Sequence, residues 1–129
     1  MEKIELYKLE FSIRQHVERI KVKFNEATQN YLNENHDADY LKVKKWQDRN
    51  CKRAIMEFLL SQRVLTETPE HTKKCKKCMG TGRIGYRPVK QTEKDPETGK
   101  VMTRLNGKGK PLYTNYPILC ECLIDMIEL

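Results

Sequence analysis

Five cysteines carry the chemistry that this 129-residue chain declares first. Cys75-Lys76-Lys77-Cys78 sets two thiols two residues apart, and Cys120-Glu121-Cys122 supplies a second pair. Thiolates at the first spacing fit adjacent corners of a zinc tetrahedron, because the intervening loop turns back and aims backbone N–H groups at the sulfurs. Gly80 supplies the tight backbone that such a knuckle needs. Cys75, Cys78, Cys120 and Cys122 are therefore expected to bind Zn2+ as a closed, structural site with no position left for water or substrate. Two features depart from compact zinc ribbons: 41 residues separate the pairs, and the second pair has one intervening residue. His71, four residues before Cys75, is an alternative ligand. A redox Cys-x-x-Cys would sit in a βαβ pattern that is absent here. Cys51 falls on an apolar helical face and reads as a small buried hydrophobe.

The elements that must position these thiols follow from periodicity. Ile13, Val17, Ile20, Phe24, Ala27 and Tyr31 recur at three- and four-residue steps, the spacing of one helical stripe. After the polar turn Asn33–Asp39, a second stripe runs through Val43, Trp46, Asn50, Ala54, Phe58 and Leu65, widened by Cys51, Ile55 and Leu59. No Gly or Pro interrupts residues 1–68, so the reading is an antiparallel hairpin of two helices ending near Thr68-Pro69, with Trp46 in its core. The two stripes are expected to bury each other without help from metal. All six glycines and four of the five prolines lie beyond residue 73. Short β-type runs at Arg83–Thr92, Val101–Leu105 and Pro111–Tyr116, with turns at Asp95–Gly99 and Asn106-Gly107, predict a β-ribbon. Leu123–Leu129 reads as a short helical tail able to pack on the hairpin. The expected architecture is α+β: a helical hairpin over residues 1–68, then a zinc-stapled β-ribbon with a C-terminal helix over residues 69–129.

Charge is unevenly divided. Residues 1–72 hold 13 basic and 12 acidic side chains, residues 73–110 hold 12 and 3, and residues 111–129 hold none and 3, for a net charge of +7. Lys73, Lys74, Lys76, Lys77, Arg83, Arg87, Lys90, Arg104, Lys108 and Lys110 are the candidate surface for an acidic protein or for nucleic acid. Tyr86, Tyr113 and Tyr116 are available for stacking, and Lys42, Lys45, Arg49, Lys52 and Arg53 form a basic flank on the second helix. His16, His36 and His71 are far apart and accompany no nucleophile pattern, so no enzyme is expected. Gly80-Thr-Gly82-Arg-Ile-Gly85 matches a dinucleotide-binding pattern formally, but no strand precedes it and no helix follows. No apolar run approaches the roughly 18 residues of a membrane helix, and the acidic start is unlike a secretory leader, which predicts a cytoplasmic protein with reduced thiols.

The segment Cys75-Lys-Lys-Cys78-Met-Gly80-Thr-Gly82-Arg83 resembles the Cys-x-x-Cys-x-Gly-x-Gly repeat of DnaJ-type zinc domains and the zinc knuckle of lambdoid phage antitermination protein Q. In both families a second such repeat completes the site, whereas here Cys120-Glu-Cys122 stands in its place. The chain carries no His-Pro-Asp of a J-domain, so co-chaperone activity is not expected. Size, lysine-rich character and a small basic zinc module are also similar to the T-even phage RNA polymerase-binding protein RpbA. Together the resemblances imply a phage-type transcription regulator acting in the bacterial host cytoplasm, with RNA polymerase as partner. The alternative is a zinc protein that binds DNA or RNA directly.

Overall fold

A computed structural model describes residues 3–129 and shows a mixed helix and sheet architecture. A 3-10 turn at Leu6–Lys8 leads into α1 (Phe11–Glu34) and α2 (Tyr40–Ser61), followed by the single-turn helix α3 (Glu70–Lys73). Four strands come next, β1 (Arg83–Lys90), β2 (Thr92–Lys94), β3 (Val101–Thr103) and β4 (Tyr113–Leu119), and the short α4 (Glu121–Ile124) ends the order. Among the described residues no helix is long and apolar enough to cross a membrane. Two compact units form: residues 1–82 together with 119–129, and residues 83–118. The division thus falls at Gly82 and Leu119, whereas composition places it at residue 68.

The hairpin turn is built by Asp39, whose side chain caps α2 by accepting from the N–H groups of Leu41 and Lys42 at 3.1 and 3.4 Å. Such a cap satisfies donors that the first helical turn leaves open. The second helix stops at Ser61, seven residues before the expected end. Arg63 takes a left-handed backbone conformation (φ 55°), so the N–H of Val64 reaches the carbonyl of Leu59 and that of Arg63 the carbonyl of Leu60. This is a Schellman ending made without glycine.

The core of the first unit differs from the expected pair of facing stripes. On α2 the buried residues are Gln47, Cys51, Ile55, Met56 and Leu59, whereas Trp46 on the neighbouring stripe is 55 % exposed. Tyr31 and Ala27 are likewise exposed, while Val17 is buried and Ile13, Ile20 and Phe24 are partly buried. The missing layer comes from the C-terminal segment: Leu119, Leu123, Ile124, Met126 and Ile127 complete the cluster with Val17, Cys51, Ile55, Met56 and Leu59. Half of the buried cluster is therefore supplied by the last residue of β4 and the segment that follows it, and α4 packs on α2. The N-terminal segment closes the edge, with the N–H of Ile4 donating to the carbonyl of Met126 at 2.8 Å.

In the second unit β2 and β3 pair antiparallel with Thr92 opposite Thr103 and Lys94 opposite Val101, and β1 pairs with β4. Gln91 joins the two sheets, since its N–H donates to Leu112 and its carbonyl accepts from Arg104, both at 2.8 Å. Asp95 closes the first turn by accepting from the N–H of Glu97, which holds its carboxyl below the usual range. The second turn is held by the Asn106 side chain, which accepts from Lys108 and Lys110, and Gly109 rather than Gly107 takes the left-handed conformation (φ 75°).

Candidate metal centre

The chain enters the centre through α3. The N–H of Cys75 donates to Thr72, that of Gly80 to Cys75 and that of Thr81 to Cys78, so residues 72–81 wind into one continuous turn. Met79 and Gly80 are both left-handed (φ 53° and 80°), which folds the loop back over the Cys78 sulfur. Gly82 ends the turn, and its carbonyl accepts from the N–H of Cys120 at 2.8 Å. That one bond brings the second cysteine pair, 38 residues later in the chain, to the first.

All four sulfurs of Cys75, Cys78, Cys120 and Cys122 lie within 4.8 Å of one another. Cys75 Sγ is 3.8 Å from Cys120 Sγ, and Cys78 Sγ is 3.8 Å from Cys122 Sγ. A disulfide requires about 2.05 Å, whereas a tetrahedron with metal–sulfur bonds of about 2.3 Å has edges of about 3.8 Å. The donor set can hold a metal ion, and each of the two close edges joins the knuckle to the C-terminal segment. Among the described residues this is the group of His, Cys, Asp and Glu side chains so placed. Every cysteine named from the sequence for this site is in it. Cys51 is outside it, buried in the hydrophobic cluster with its thiol raised by burial.

Surrounding groups fix the ligands. His71 is not among the converging groups; its Nε2 donates to the carbonyl of Cys122 at 2.9 Å, which orients the second pair from α3. Glu121, between the two late cysteines, meets Arg49 of α2 at 2.7 Å and Lys77 of the knuckle at 3.4 Å. Both ion pairs are solvent-exposed and contribute about 0–1 kcal/mol each, so they set orientation more than stability. Burial opposes ionisation of Cys78, but hydrogen bonds from the Gly82 backbone, the thiols of Cys75 and Cys122, and the Gly80 backbone bring its pKa down to about 7. Burial pushes Cys122 up to about 12 and also raises Cys120. Four adjacent thiolates repel one another, and a divalent cation at their centre offsets that repulsion.

Gly82 carries a sharp test of this packing. Its φ is 77°, and a Cβ there would stand 2.6 Å from Leu123 Cδ1, with Thr72 Cγ2 also in contact. Gly82→Ala is expected to destabilise the first unit by about 2–4 kcal/mol through backbone strain and overpacking. Gly107→Ala, with open space around it, is expected to stay within about 0.5 kcal/mol, and denaturant midpoints of the two variants check the contrast.

No family model, curated protein or solved structure matches this chain. All ten candidate basic residues are exposed. Lys73, Lys74, Lys76 and Lys77 belong to the first unit; Arg83, Arg87, Lys90, Arg104, Lys108 and Lys110 belong to the second. Tyr86, Tyr113 and Tyr116 are exposed in that same second unit. Sequence reasoning missed His71 as an orienting group and the Arg49–Glu121–Lys77 bridge. Glu121 lying between two cysteines was the available signal.

Proposed function

We propose that the protein is a non-enzymatic transcription regulator that holds a structural zinc ion and binds bacterial RNA polymerase, acting in the cytoplasm of a phage-infected cell. Zinc suits four thiolates at tetrahedral spacing, and a filled thiolate shell leaves no position for Lewis-acid catalysis. The observation that carries the binding role is the surface of residues 83–118, where Arg87, Lys90, Arg104, Lys108 and Lys110 are all exposed. An acidic protein surface complements such a display, and opposite charge speeds encounter and fixes orientation. The zinc knuckle's likeness to phage antitermination proteins supports polymerase as the acidic partner.

A second reading, direct binding of DNA or RNA, is favoured by one observation: Tyr86, Tyr113 and Tyr116 present exposed rings in the same unit as these cations. Aromatic rings among cations suit single-stranded bases. Affinity capture of RNA polymerase from bacterial lysate, with and without nuclease, separates the two. Polymerase is expected to be retained after nuclease treatment. Charge reversal at Arg87, Lys90, Lys108 and Lys110 is expected to weaken capture at least tenfold at low salt with metal content unchanged, since the four belong to the second unit and the cysteines to the first. Loss of capture after nuclease, with tight and steeply salt-dependent binding to free nucleic acid, would favour the second reading.

A further inference from the structure

The C-terminal segment covers only part of the α1–α2 hairpin. Towards the turn, Phe24 and Trp46 stand with ring centroids 6.5 Å apart, and beside them opens a groove of about 400 Å³. Ala27, Thr28 and Tyr31 of α1 line it with Lys42, Val43 and Trp46 of α2. Its walls are mainly apolar, and Tyr31 and Trp46 remain 50 % and 55 % exposed. Thr28 in the wall is only 4 % exposed, and its hydroxyl has no hydrogen-bond partner. Buried hydroxyls are rarely left unpaired, so the wall retains an unused polar contact.

Charge decides what fits. Lys42 is the single charged residue of the lining, and Lys45 follows three residues later on the same helix. Neither forms an ion pair among the described residues, and the nearby Asp39 is already engaged in capping α2. A second copy docked face to face would gather Lys42 and Lys45 of both copies into one interface, four cations with no acidic side chain in the groove lining to offset them. An amphipathic helix with acidic flanks meets both needs: apolar side chains at i, i+3, i+4 and i+7 enter the groove while carboxylates reach the lysines.

We infer that this groove is a docking site for an acidic amphipathic helix of a partner protein. It lies in the first unit and does not depend on the polymerase reading, which rests on residues of the second. Occupancy is read directly, because Trp46 is the only tryptophan in the chain. Two synthetic helical peptides with identical leucine spacing, one flanked by Glu and the other by Lys, are titrated into the full chain. The acidic peptide is expected to shift Trp46 emission to shorter wavelength saturably and to bind at least tenfold tighter than the basic one. Lys42→Glu combined with Lys45→Glu is expected to lose about tenfold for the acidic peptide and to gain for the basic one. Ala27→Phe, at an exposed helical position, fills the groove and is expected to abolish the shift while helix content stays unchanged. Equal binding of the two peptides, or no Trp46 response to either at millimolar concentration, overturns the inference. A shift that grows with the concentration of the protein alone assigns the groove to a second copy and overturns it equally.

Discussion

Replacing Cys120 and Cys122 together by serine is expected to abolish metal binding and to loosen α2, far from the substitutions in sequence. The reason is the origin of the core. Leu119, Leu123, Ile124, Met126 and Ile127 supply half of the buried cluster, and the cysteines among them tie that segment to the knuckle. Structural zinc sites contribute on the order of 10–16 kcal/mol of apparent binding free energy in small modules, as large as the net stability of about 5–15 kcal/mol of many domains. Hydrogen exchange is expected to show lost protection at residues 72–82, at 119–127 and along residues 47–60 of α2. Unchanged protection of α2 after the double substitution would mean that the two long helices bury each other unaided. Cys51→Ala is expected to leave metal content at one ion per chain, because its thiol lies in the hydrophobic cluster and outside the cysteine site.

Truncating Ile127 gives the second large effect. Its side chain is fully buried, and with Ile124 it belongs to the cluster that holds Ile55, Met56 and Leu59 of α2. Ile127→Ala is expected to cost about 2–5 kcal/mol, because the surrounding helices cannot close fully on the cavity. Ile127 lies five residues beyond Cys122, so metal content is expected to persist while the urea midpoint falls. Ile127→Val is expected to cost about 0.5–1.5 kcal/mol, which separates loss of packing from loss of the site. A neutral Ile127→Ala would remove the C-terminal segment from the core.

Much of this arrangement is written in short-range patterns. Periodicity places α1 and α2, and the cysteine spacing names all four sulfurs that converge. The second helix ends early because Arg63 adopts a left-handed conformation that composition does not announce. Two apolar stripes one position apart run along α2, one through Trp46 and the other through Cys51, Ile55 and Leu59. Which of them is buried depends on the C-terminal segment, and that layer is visible only when the chain ends are brought together. The same long-range closure explains the unit boundary: the hydrogen bond from Cys120 to Gly82 returns residues 119–129 to the helices. His71 illustrates a subtler ambiguity. Proximity to a cysteine suits a ligand or an orienting donor equally well, and its hydrogen bond to the Cys122 carbonyl gives it the second role.

Zinc K-edge X-ray absorption on the purified full chain tests the central claim most directly, because it counts the atoms bonded to the metal. The expected spectrum has a shell of four sulfurs at about 2.3 Å and no lighter neighbour. A nitrogen or oxygen at about 2.0–2.1 Å, or fewer than four sulfurs, would contradict a closed centre built from Cys75, Cys78, Cys120 and Cys122.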